Sequence, residues 1–141
     1  MQIAAPIHSL TSAAALSAVE AAVSHGRSLA ASVVAAAVGA SGDLLSCLRA
    51  DGAYLPSIEI ARDKAYTAAV FGTPTHELGK AMSSNKILFE GISQRPGVVL
   101  FAGGIPIVID AQVVGAIGVS GGSEDEDLAC AKAALAALGL R

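Results

Sequence analysis

Apolar residues recur at helical spacing from Leu10 to about Leu29, where Leu16, Val19, Ala22 and Val23 share a face and Thr11 or Ser12 can start the helix. That period is then lost. Ala30–Val38 contains three consecutive alanines, which favour helix by propensity, yet Ser32-Val33-Val34 runs on to Val38 and into the turn-forming stretch Gly39-Ala40-Ser41-Gly42-Asp43. The stretch reads as a strand entering a hairpin, with Leu44–Arg49 as the return strand. Helical spacing returns over Pro56–Val70: Pro56 suits a first turn, Ser57 can cap, and Ile58, Ala61, Ala65, Ala68 and Ala69 lie near one face. Pro74–Met82 predicts a shorter helix capped by Thr73 or Thr75, and Ser83–Ser93 a loop with one helical turn across Ile87, Leu88 and Phe89.

Three strands are predicted next, at Val98–Phe101, Ile105–Ile109 and Val113–Ser120. The last two are rich in Ile and Val and are split by Asp110-Ala111-Gln112, which describes an antiparallel hairpin. Gly121-Gly122 supplies a corner, and Ser123 with Glu126 forms a capping box at the head of a final helix, Glu124–Leu138. Further acids in that first turn suit the positive end of the helix dipole. The order α-β-β-α-α-β-β-β-α places helices over a five-stranded, mainly antiparallel sheet, an α+β fold.

Composition narrows the picture. The 141 residues suffice for one domain spanning 1–141. Hydrophobic residues make up 53% of the chain, aromatics only 4%, and Trp is absent, so small aliphatics must fill the core and helices must pack closely. An alanine contributes far less than the ~1.5–3 kcal/mol of a fully buried Leu or Ile, so the chain stands to gain by burying surface against copies of itself. A net charge of −3 without any Lys/Arg cluster argues against nucleic acid as a partner. No Lys or Arg precedes Arg27, unlike a signal peptide, and the Ala-rich run from Thr11 to Val38 is broken by Glu20, His25, Gly26 and Arg27 short of the ~20 apolar residues a bilayer needs. No membrane segment and a cytoplasmic location are the expectation, with Cys47 and Cys130 as reduced thiols.

Candidate chemistry is sparse. No Ser sits in a G-x-S-x-G elbow and neither Cys has a nucleophile signature, which lowers an ordinary hydrolase reading. His8, His25 and His76 are far apart, and no C-x-x-C or H-x-x-x-H occurs, so no metal site is expected. Gly103-Gly104 either lets a ligand approach the backbone amides or makes a tight turn between strands. Gly121-Gly122 at the last helix start is a second anion candidate, but the acids that follow would repel an anion, so capping is the stronger reading. Glu59, Arg62, Asp63 and Lys64 form the one charged cluster in an otherwise apolar helix. Glu59 and Asp63 are four residues apart and share a face that Arg62 can join at a spacing of three, either a polar groove floor or a solvated surface.

Taken together, G-G-x-P at Gly103–Pro106, the strand ending Gly115-Ala116-Ile117-Gly118-Val119-Ser120-Gly121-Gly122 and the acidic helix start resemble a family of small proteins. That family is named after the haem-binding protein HbpS and the glycolate-operon protein GlcG, and includes the C-terminal domain of PduO-type corrinoid adenosyltransferases. A second matching block runs through Asp51-Gly52-Ala53, Pro56–Ala61, Lys64-Ala65, Thr67–Ala69 and Phe71–Thr75, with Gln94–Val99 resembling a P-G-V strand entry. The likeness covers roughly residues 10–139. One departure is Val38-Gly39-Ala40-Ser41-Gly42, where the family has V-D-A-G-G, so no role passes to the missing acid.

The resemblance implies a profilin-like or PAS-like sheet and a homo-oligomer, often an octamer. It also implies a planar cofactor (haem, or alternatively a corrinoid or flavin) held in inter-subunit grooves by a sensor, carrier or protector. Haem takes an axial ligand, and His25, His76, Tyr54, Tyr66 and Met82 are the residues of suitable type, none carried over from the family. Cofactor-binding candidates are therefore Gly103, Gly104, Lys64, Glu59, His76 and His25. The alternative is an accessory isomerase, hydratase or decarboxylase of a catabolic operon, with Glu59, Asp63 or Lys64 as acid and base beside Gly103-Gly104. A third reading is a structural partner of another enzyme, which requires an exposed apolar patch and no pocket.

Overall fold

The computed structural model describes residues 1–141; its first helix, α1 (Ser12–Ser28), starts where the Thr11 hydroxyl accepts the Ala14 N–H at 3.2 Å. The Ala31 N–H closes α1 on the Gly26 carbonyl with Ala30 in the left-handed region, so strand β1 begins at Val34 rather than at Ala30. β1 (Val34–Gly39) and β2 (Leu44–Arg49) form the predicted hairpin. Tertiary burial overrides the alanine propensity here: every residue of β1 is buried, which suits a central strand covered on both faces.

Helices α2 (Ser57–Phe71) and α3 (Thr75–Met82) follow, but neither has the side-chain cap expected of Ser57, Thr73 or Thr75. Ser57 is buried and accepts from the Ser120 hydroxyl at 3.3 Å instead. Where one helical turn was expected, Asn85 caps a full eight-residue helix, α4 (Lys86–Ser93), by accepting the Leu88 N–H at 3.1 Å. The last elements are β3 (Gly104–Ile109), β4 (Gln112–Ser120) and α5 (Glu124–Ala137), the last with the predicted Ser123/Glu126 capping box. Asp110 (φ 50°) and Ala111 (φ 62°) form the two-residue turn between β3 and β4, a geometry that matches the twist of paired strands.

The sheet has four strands, all antiparallel, in the order β2-β1-β4-β3, and the chain order is α-β-β-α-α-α-β-β-α. The α+β class holds; the five-stranded expectation does not, because Val98–Phe101 forms no strand. Two buried threonines and the Arg95 carbonyl, which accepts the Val98 N–H, take part of its backbone. Thr67 Oγ1 accepts the Val99 N–H at 3.0 Å and donates to the Gly97 carbonyl at 2.8 Å, while Thr75 Oγ1 donates to the Phe101 carbonyl at 2.6 Å. Those bonds to side chains of α2 and α3 compete with a ladder at this segment.

α2 covers one face of the sheet, and α1 with α5 covers the other. The α2 side is built from small residues: Ala36 and Val38 of β1 with Ala116 and Gly118 of β4 face Ala61, Ala65 and Ala68, while Gly104 of β3 meets the Lys64 backbone and Thr75. The other side carries Ile105, Ile107, Ile117 and Val119 against α1 and α5. This division brings the α2 backbone unusually close to the sheet, where small surfaces let the two approach.

Candidate functional site

Lys64 sits in α2 one position from Ala65 and three from Ala61, in phase with the face that packs on the sheet, and its side chain is only 1% exposed. Its ammonium donates to the Val119 carbonyl at 2.9 Å and to Asp127 Oδ2 at 3.1 Å, and lies 4.9 Å from the centre of the Phe101 ring. The second oxygen of Asp127, Oδ1, accepts the Gly122 N–H at 2.9 Å. The four acids of the α5 first turn thus have distinct tasks. Glu124 accepts the Ala102 N–H, Glu126 closes the capping box, Asp127 holds Lys64 and Gly122, and Asp125 stays exposed. The anion that the Gly121-Gly122 corner receives is the chain's own Asp127 carboxylate.

Burial dominates the electrostatics of this pair. It holds the Lys64 amine below the usual lysine range, an effect the Asp127 carboxylate partly offsets. It also pushes the Asp127 carboxyl up, against the pull of Lys64 and the Gly122 N–H. Cys130, in the adjoining core, is pushed up to about 11 by burial and then by Asp127 and Glu126, so its thiol stays protonated.

The Gly103-Gly104 pair is where Lys64 and the loop meet. A Cβ on Gly103 would lie 2.7 Å from Lys64 Nζ and 2.5 Å from the Val119 carbonyl oxygen, and the Gly104 N–H donates to Thr75 Oγ1 at 3.1 Å. The close approach these glycines permit is therefore to the chain's own lysine.

The other candidates fall elsewhere. Glu59 is exposed, whereas Asp63 is half-buried and lines a shallow depression with Arg62, Tyr66 and Pro96. Burial, and then Glu59, raises the Asp63 carboxyl, with Arg62 opposing. Lys64 turns inward from that surface, so Glu59, Asp63 and Lys64 do not converge as one acid–base set. His25 is half-buried in the last turn of α1.

His76 lines a groove of about 480 Å³ between α3 and α5, with Pro74, Ile105, Leu128, Leu135 and Leu140 as apolar walls and Glu77, Lys132 and Arg141 among its polar residues. Its Nδ1 is buried without a hydrogen-bond partner. Sequence reading missed Asp127 as a partner of Lys64, Phe101 as its aromatic cover, the two threonines, and Lys132. One signal was available: Asp127 precedes Cys130, Ala131 and Ala134 at helical spacing, so a charge falls in phase with the apolar stripe.

The family described as haem degrading protein HbpS-like matches residues 10–136. The chain belongs to this family. HbpS from Streptomyces reticuli, solved as a double mutant, shares 34% identity with it at a TM-score of 0.87, over 99% of this chain and 97% of that one. The structure of PduOC in complex with haem shares 34% identity at a TM-score of 0.84, over 92% of this chain and 94% of that one. The corrinoid adenosyltransferase PduO of Citrobacter freundii is 36% identical over 136 residues, which are 96% of this chain but 38% of that protein. No helix is long and apolar enough to cross a membrane.

Proposed function

We propose that the HbpS-like chain is an accessory protein that binds a planar cofactor, haem in the first instance, and works as a homo-oligomer. The observation that carries this is its near full-length structural match to PduOC, a protein solved with haem bound. The groove between α3 and α5 fits the class: about 480 Å³ in volume, walled by aliphatic residues, with Lys132 at hand for an acidic edge. A corrinoid is the second candidate, by kinship to PduO; flavin has no such support. Haem would supply redox chemistry when bound, and the chain's part is to hold and shield its apolar faces. A cytoplasmic setting belongs to the same reading, with Cys47 and Cys130 as reduced thiols.

The α4 helix supports self-association. None of its residues is buried and Ile87 is 84% exposed, yet isolated helices this short are marginal in water. A second copy covering α4 would supply the missing packing, and the assembly proposed is an octamer in which the α3–α5 grooves open at the boundaries between subunits. Ile87→Asp is expected to reduce the assembly mass, read by light scattering after gel filtration; an unchanged mass removes α4 from the interface.

Haem titration tests the main reading. The expected result is a saturable Soret shift with a dissociation constant of about 1 µM or lower, equivalent to about −8 kcal/mol. Absence of any spectral change with haem in large excess refutes it.

A further inference from the structure

We infer that the α3–α5 groove seats the carboxylate edge of an apolar ligand, with the Lys132 ammonium and the Nε2–H of His76 as its donors. The inference deepens the cofactor reading and rests on it, since the porphyrin of haem is such a ligand.

Lys132 is exposed at the groove and has no carboxylate partner; the ion pairs in the chain are Lys64–Asp127 and Lys86–Glu90. It stands beside aliphatic walls, Leu128 and Leu135 from its own helix and Ile105 from β3, so an amphipathic ligand would meet apolar surface and positive charge together. Glu77, also on the groove, opposes an anion, whereas Arg141 reinforces the attraction.

His76 distinguishes this from metal ligation. A histidine that ligates a metal almost always donates its second N–H to an acceptor. The buried Nδ1 of His76 has no acceptor, and an orphaned N–H is a costlier arrangement than a bare lone pair. The tautomer with its proton on Nε2 leaves no buried donor orphaned, and in that form Nε2–H can donate to an incoming oxygen. The structure thus assigns His76 to the carboxylate rather than to an iron.

The test uses the full chain and metal-free protoporphyrin IX, followed by its fluorescence, alongside the dimethyl ester of the same porphyrin. Wild-type protein is expected to bind the free acid, with affinity falling about tenfold in Lys132→Glu, several-fold in His76→Phe, and about tenfold when the ester replaces the acid. Lys132→Gln, with a far-UV circular dichroism check, guards against a folding defect. Equal affinity for acid and ester, or unchanged binding in the Lys132 variants, overturns the groove assignment. If haem still binds the wild type and every variant equally, the cofactor reading stands and its site lies elsewhere. If neither haem nor protoporphyrin binds the wild type, both fall.

Discussion

Lys64→Met is expected to lower the unfolding free energy by about 3–5 kcal/mol, the range for removing one partner of a buried ion pair. The loss arises because Asp127 remains nine-tenths or more enclosed without its cation, and because the Val119 carbonyl loses its donor. Lys64→Met combined with Asp127→Asn should recover much of it, since no unpaired charge stays buried and the amide oxygen can still accept the Gly122 N–H. Urea unfolding followed by circular dichroism reads both. A single-variant loss no larger than that of an exposed pair, about 1 kcal/mol or less, would show that solvent reaches the site.

The same pair gives a pH dependence with a defined sign. Burial raises the folded-state pKa of Asp127 above its unfolded value, so this group's stabilisation is present below the unfolded pKa and is lost as pH rises through the folded one. Burial lowers that of Lys64, so its contribution grows as pH rises above the folded value toward the ordinary lysine range. In Lys64→Met the carboxyl loses the ammonium that pulls it down and moves further up. The stability gap between variant and wild type should therefore narrow as pH falls from neutral toward the carboxylate range.

Gly118→Val should be at least as damaging, by about 3 kcal/mol or more, or should prevent folding. A Cβ at Gly118 would strike the Ala61 carbonyl oxygen and lie 2.5 Å from the Ala65 nitrogen and 3.1 Å from its Cα. These are backbone atoms of a helix, so no side chain can rotate away. The whole of α2 must lift off the sheet, carrying Lys64 away from Asp127 and opening the Gly103-Gly104 contact. Within the protomer Gly91→Ala is the comparison: its Cβ meets nothing within 4 Å and helix propensity favours the change by about 1 kcal/mol, so a destabilisation there would come from the copy proposed to cover α4. Equal melting temperatures for the Gly118 variant and wild type would mean that α2 does not lie where the structure puts it.

How far the site could be read in advance follows from the range of the forces involved. The β3–β4 hairpin and the Ser123/Glu126 cap were legible because their hydrogen bonds join residues close in sequence. The strand expected at Val98–Phe101 has suitable β-branched residues, but Thr67 and Thr75 compete for its backbone. At α4 the only local signals are the Asn85 cap and a short apolar run, Ile87–Phe89, too little to predict a helix of eight residues. Lys64 was grouped with Glu59 and Asp63 by nearness in sequence, although its spacing to Ala61, Ala65 and Ala68 already placed it on the buried face.

By itself, the order of residues determined the capped starts of α1 and α5, the two hairpins, a core of small aliphatics and the family. Each depends on contacts within a few positions or on a residue pattern. Only the tertiary structure decided that the sheet stops at four strands, that Lys64 meets Asp127 across 63 residues, and that His76 and Lys132 line one groove. Those outcomes follow from α2 and α5 being pressed against opposite faces of one sheet. Such packing brings side chains together across a separation that no local signal spans.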